Sequence, residues 1–293
     1  MNRRELLKTL PAAVLALPAA AAPRQVEGGK ARIKTALCAY SFRDALGANK
    51  LSYEDLVDMA VENRVDGLDL TVYWFPKENL DKFYSSLRRK AYVSAVEIPA
   101  IAVRSDLCQR RANDQEREAA WLNHWVDAAE RLGAGHIRIF GGNVPEGASE
   151  DDAAKWVTEI LKRSADYAGS KGVILGLENH GGITLYAKRI IQIVEAVDHP
   201  FVGINLDTGN FRSDPYEQIE MCIPYAVNSQ YKVNIREGEG GREQSDWDRI
   251  TKMFASAGYK GYISLEYEAE EDPFTAVPRH LKTMNELAKK YSS

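Results

Sequence analysis

Hydrophobic and polar positions along this chain alternate between two periods. Short, mostly apolar runs fall at Thr35–Tyr40, Gly67–Thr71, Ala95–Val103, His136–Phe140, Val173–Glu178, Val202–Asp207, Ala226–Val233 and Gly261–Glu266. They are too short for helices and read as strands buried on both faces. Between them the apolar spacing changes to three and four, as in Tyr53–Asn63, Gln115–Leu132, Ala153–Ser170 and Asp248–Ala257, with a last helix over Phe274–Lys289. Gly172, Gly203 and Gly261 stand at strand entries, where a returning helix has to stop. Eight buried strands alternating with amphipathic helices predict an α/β fold, a single (β/α)8 barrel.

The length of 293 residues suits that reading, since such barrels use about 250 residues as one domain. A formal charge of -4 argues against a nucleic-acid surface. The first 22 residues are of another kind. Arg3 and Arg4 precede the short apolar run Leu10–Leu17 and the small residues Pro18–Ala22, the pattern of a twin-arginine export signal too short for a membrane anchor. The expected organisation is signal 1–22, flexible leader 23–34 and barrel 35–293, in a periplasmic or exported protein. Cys38, Cys108 and Cys222 lack CxxC spacing and read as buried thiols.

Candidate chemistry gathers at the strand ends. Four apolar runs close on Glu178, Asp207, Gln230 and Glu266. In a barrel all strand C-termini open on one face, so these residues are expected to meet in one pocket. Three carboxylates brought together repel unless a cation neutralises them, which points to a divalent metal held by these four side chains. Mg2+ or Mn2+ suits an all-oxygen set best, with Zn2+ or Co2+ as alternatives. Any one of these carboxylates alone would be read as a helix cap or ion-pair partner. Glu178 opens Glu-Asn-His-Gly-Gly, which makes His180 a candidate proton shuttle; His136 is a weaker candidate. Lys232 lies two residues beyond Gln230, on the same side of its strand, and is a candidate catalytic residue, expected to hold a substrate hydroxyl or carboxylate beside the metal. Glu266 and Glu268 are related in the same way.

The motifs Ala-Tyr-Ser-Phe (39–42), Leu-Glu-Asn-His-Gly-Gly (177–182), Leu-Asp-Thr-Gly-Asn-Phe (206–211) and Leu-Glu-Tyr-Glu (265–268) resemble the xylose isomerase-like TIM-barrel superfamily, in particular its sugar phosphate isomerase/epimerase branch. The resemblance implies metal ligands at Glu178, Asp207, Gln230 and Glu266, with Gln230 standing where the family has histidine. It also implies that Glu178 and Glu266 move the substrate proton and that Arg236 holds substrate oxygens. Tyr40, Trp74, Arg104, Arg138 and Phe140, at or beyond the ends of strands one to four, suit a sugar ring, as do Asn210 and Glu268.

The expected function is a metal-dependent isomerase or epimerase acting on a ketose or keto-sugar through an enediolate. The alternatives are a lyase or hydratase on 3-keto-glycosides using the same base, and a sugar-binding protein with a degenerate site. Five histidines are too few for the histidine-rich cluster of a nuclease on this fold. The expected partner is a small sugar, with no nucleic acid and no membrane anchor; the sequence leaves a homo-oligomer open.

Overall fold

The computed structural model describes residues 29–236 and 241–292. The expected export signal at 1–22 lies outside them. Eight strands close into a barrel: β1 (Arg32–Cys38), β2 (Gly67–Thr71), β3 (Glu97–Ala102), β4 (His136–Phe140), β5 (Ile174–Glu178), β6 (Val202–Asp207), β7 (Ala226–Tyr231) and β8 (Lys260–Leu265). Each pairs in parallel with its sequence neighbour, and β1 pairs with β8 to shut the circle. β1 starts inside the stretch expected as leader, because Arg32, Ile33 and Lys34 already pair with Lys260, Gly261 and Tyr262.

The outer helices are α1 (Tyr53–Glu62), α2 (Leu80–Val93), α3 (Ala112–Leu132), α4 (Glu150–Ser170), α5 (Ala187–Val197), α6 (Pro215–Cys222), α7 (Trp247–Ser256) and α8 (Pro273–Tyr291). Their starts follow from local chemistry. Ser52 and Asp55 form a reciprocal capping box at α1, and the Ser149 side chain accepts from the Asp152 N–H at α4. One apolar face of each helix packs on the strands, so the core is a shell between barrel and helices. The three cysteines are buried and free. A two-stranded ribbon, Asn234–Arg236 with Arg242–Gln244, rises beyond β7 and has no counterpart in the hydrophobic pattern. No helix among the described residues is long and apolar enough to cross a membrane.

Candidate active site

Because inward side chains recur at every second residue, the strands build the barrel interior in layers. His136/Arg138, Gly176/Glu178, Asn205/Asp207, Gln230/Lys232 and Ser264/Glu266 are pairs two residues apart on β4 to β8 or just past their ends. The upper members meet under a cavity of about 510 Å³, which Glu178, Glu266, Glu268, Lys232, Arg138 and His180 line. Asp207 lies just beneath it, fully buried.

Each carboxylate has a polar partner. Arg138 Nε stands 2.9 Å from Glu178 Oε2, and Asn210 Nδ2 donates to Glu178 Oε1 at 3.1 Å. Lys232 Nζ lies 2.8 Å from Glu266 Oε2 and 3.4 Å from Asp207 Oδ2, and it also binds Glu268. Four carboxylates thus share two cations, and burial decides where the excess charge is relieved. Burial, joined by the Asp207 and Glu266 charges and opposed by Arg138, raises Glu178 well above the usual carboxylate range. Asp207 is pushed up to about 7, again chiefly by burial. Burial also works against ionised Glu266, but Lys232 and Arg138 outweigh it and hold that carboxyl low. His180, stacked on Phe140 with centroids 3.9 Å apart, is lowered to about 4 by burial and by Arg138, so it is neutral at pH 7. Arg138 also sits over the Phe140 ring, 4.2 Å from its centroid.

The loop motifs serve this geometry. Asn179 clips β5 to β6 by accepting from the Asp207 N–H and donating to the Asp207 carbonyl, both at 2.8 Å. In Asp-Thr-Gly-Asn, Asp207 Oδ1 accepts from the Gly209 N–H at 2.8 Å, while Thr208 Oγ1 accepts from the Lys232 N–H at 3.0 Å. A Cβ on Gly209 would come within 2.5 Å of Lys232 Cγ, so only glycine lets the lysine stem pass.

Gln230 departs from expectation. Its carboxamide lies one layer lower: Asn228 Nδ2 donates to Asn205 Oδ1 at 2.9 Å, Asn205 Nδ2 to Gln230 Oε1 at 2.9 Å, and Gln230 Nε2 to Asp69 Oδ2 at 3.3 Å. The carboxylate at the end of this relay takes the amide NH2, which turns the Gln230 oxygen toward Asn205 and away from the pocket. The side chain that reaches Asp207 and Glu266 is Lys232 instead. The expected divalent ion therefore does not fit this donor set. One of its four ligands is committed elsewhere, and an ammonium stands on two of the others. Among the described residues no three His, Cys, Asp or Glu side chains are grouped to hold a metal ion.

Other expected residues divide. Tyr40, Arg104, Arg138, Phe140 and Asn210 line the cavity. Trp74 lies on a neighbouring shelf with Tyr40 and Tyr73, their centroids 5.8 to 6.4 Å apart. Tyr73, passed over in the sequence, faces the cavity because the turn Val72–Trp74 rotates it inward; its hydroxyl accepts from Arg138 at 3.3 Å. Arg236 is exposed on the ribbon, and it is Arg242, on the paired strand, that reaches the cavity. His136 is buried below the pocket with no hydrogen bond to either ring nitrogen. Asn143 and Thr184 also line the cavity; they sit in segments where the sequence carries no periodic signal.

The family described as xylose isomerase-like TIM barrel matches residues 57–287. A search of curated proteins finds no match. Among solved structures, a D-psicose 3-epimerase with D-tagatose from Clostridium cellulolyticum H10 superposes with TM-score 0.70 at 15% identity, covering 88% of this chain and 99% of that one. A 3-keto-D-glucoside 4-epimerase from E. coli gives 0.68 at 14%, covering 88% and 100%. A probable 3-DHS dehydratase from Bacillus anthracis gives 0.61 at 18%, covering 87% and 98%. At these identities the likeness is one of fold.

Proposed function

The chain belongs to the xylose isomerase-like TIM-barrel family, and from that premise we propose that it is a sugar isomerase or epimerase that moves a proton beside the carbonyl of a ketose or keto-sugar. The observation that carries this reading is the pair Glu178 and Glu266, which open on one cavity from different strands with unlike surroundings. Two carboxyls pushed to opposite sides of their ordinary range make an acid and a base. Ionised Glu266 takes the proton from the carbon next to the carbonyl, and the C–H electron pair moves into an enediolate. Glu178 returns a proton, to the other face for epimerisation or to the neighbouring carbon for isomerisation. Arg138 and Asn210 hold Glu178, while His180 and Arg242 are placed to donate to substrate hydroxyls. The names of the D-psicose and 3-keto-D-glucoside epimerases support the substrate class.

A second reading, elimination from a 3-keto-glycoside, is favoured by the shelf of Tyr40, Tyr73 and Trp74. It extends the cavity sideways, with Arg104 4.9 Å from the Tyr73 centroid, and offers a platform for an aglycone. The same proton abstraction would then expel a β-oxygen. Proton NMR of keto-sugars and keto-glycosides in heavy water tests both readings. Deuterium entering at the carbon beside the carbonyl supports proton transfer, and released aglycone selects elimination. Absence of exchange across both substrate classes would sink the proposal. The twin-arginine motif at Arg3 and Arg4 adds export as the proposed route, which favours unphosphorylated sugars.

A further inference from the structure

We propose that the Lys232 ammonium is the resident cation of this site, doing by charge and hydrogen bonding what a divalent ion would do by coordination. The inference rests on the proton-transfer reading of the same cavity and concerns which group neutralises it. Lys232 Nζ is placed among Asp207, Glu266 and Glu268, with 2.8 Å to Glu266 and 3.4 Å to Asp207. Three N–H donors therefore face three carboxylates. Asp207 Oδ2 has no other partner, so without the ammonium it would be a bare buried charge.

The surroundings are shaped for this lysine. Its N–H is held by Thr208 at 3.0 Å, its carbonyl accepts from Trp247 Nε1 at 2.8 Å, and its stem crosses Gly209, where any Cβ would collide. The side chain is almost wholly enclosed, so it cannot swing into solvent to vacate the position without losing those contacts. Gln230, meanwhile, spends both ends of its amide on Asn205 and Asp69. The two residues together replace one metal ligand and the metal. The ammonium also lines the cavity, and its longest contact, to Asp207, is the one a substrate oxygen bearing enediolate charge would replace. Lys232 thus positions Glu266 as the base and offers charge to the developing oxyanion.

The test uses the full chain and Mn2+ alone as probe, read by the free-ion electron paramagnetic resonance signal and by melting temperature. Wild type should leave millimolar Mn2+ free and melt at the same temperature with or without it. Deuterium wash-in should survive dialysis against a chelator. Lys232→Ala strips the cation from its carboxylates. That variant should melt lower, recover stability on adding Mn2+, and exchange deuterium roughly 10²-fold more slowly. The double variant Gln230→His with Lys232→Ala should bind Mn2+ more tightly still. Stoichiometric, micromolar Mn2+ binding by wild type, or an equal rise in melting temperature in wild type and Lys232→Ala, would overturn the inference. Should no keto-sugar exchange under any condition, the proton-transfer reading fails, while the Mn2+ titration still decides the lysine.

Discussion

Two polar layers lie one above the other in this barrel, two residues apart on the same strands, and only the upper one opens on the cavity. The upper layer, Glu178, Asp207, Lys232, Glu266 and Arg138, is charged, holds more carboxylates than cations and opens on the cavity. The lower layer, Asn205, Gln230 and Ser264, is neutral and fully enclosed, and its two amides, joined by Asn228 from beneath, form a one-way run of hydrogen bonds that ends on Asp69. The contrast separates polarity that specifies a fold from polarity that, under the proposed function, serves a reaction. Amides satisfied by one another register the strands and then have nothing left to offer. The charged layer keeps unequal partners, and that imbalance separates the proton affinities of Glu178 and Glu266.

The largest effect that would break the comparison is expected in the upper layer. Glu266→Gln keeps size and shape but removes the base, so deuterium wash-in should fall about 10²–10⁴-fold with little change in melting temperature. The matched change in the lower layer, Gln230→Glu, adds a buried charge facing Asp69 and should lower the melting temperature before it touches exchange. If both variants lose exchange equally and melt alike, the layers do not differ in kind.

Much of this was legible in the sequence, because burial on both faces and the alternation with amphipathic helices leave few other folds. All eight strands fall where the pattern places them, with ends displaced by at most three residues. The convergence of Glu178, Asp207 and Glu266 follows from strand polarity alone. Depth does not. Gln230 and Lys232 share a face, and which of them meets the carboxylates depends on register: Gln230 pairs with Asp207 and Ser264, which leaves the longer lysine to reach upward. Arg236 and Arg242 could not be told apart for a related reason. They pair across a ribbon with no hydrophobic repeat, and only the ribbon's orientation selects Arg242.

A smaller effect is expected at Asp69, the one carboxylate of the lower layer. Burial, against the pull of Arg138, raises it to about 6 from an ordinary 3.8. The folded state therefore holds its proton more tightly than the unfolded chain. That contribution favours folding most below pH 4, declines as the pH rises toward 6 and is a constant cost above it. Asp69→Asn keeps an oxygen for Gln230 and removes the cost. It should stabilise the protein at pH 7.5 by up to roughly 3 kcal/mol, with the gain vanishing near pH 4. Urea melts of the two proteins at both pH values check this. A gain independent of pH would mean that packing, not charge, separates Asp69 from its neighbours.

The finest difference concerns how tightly the lower layer is filled. Gly176 sits beneath Glu178, and a Cβ there would lie 2.0 Å from His136 Nε2. The imidazole is buried and makes no hydrogen bond, so its place is set by packing and by the missing side chain at Gly176. Burial lowers His136 to about 3, so the ring stays neutral at neutral pH and cannot relieve a clash by finding an ion partner. Gly176→Ala should then cost about 1–3 kcal/mol, the usual penalty of overfilling a packed interior. His136→Ala removes the obstacle, and in that background the added methyl should be close to neutral. The cycle of two single variants and the double therefore should show an interaction of about 0.5–3 kcal/mol, while the Glu178 and Glu266 chemistry above it continues at a nearly unchanged rate. Strict additivity would show that the imidazole does not occupy the space at Gly176. A large loss of exchange in the folded Gly176→Ala variant would show that the two layers are mechanically joined.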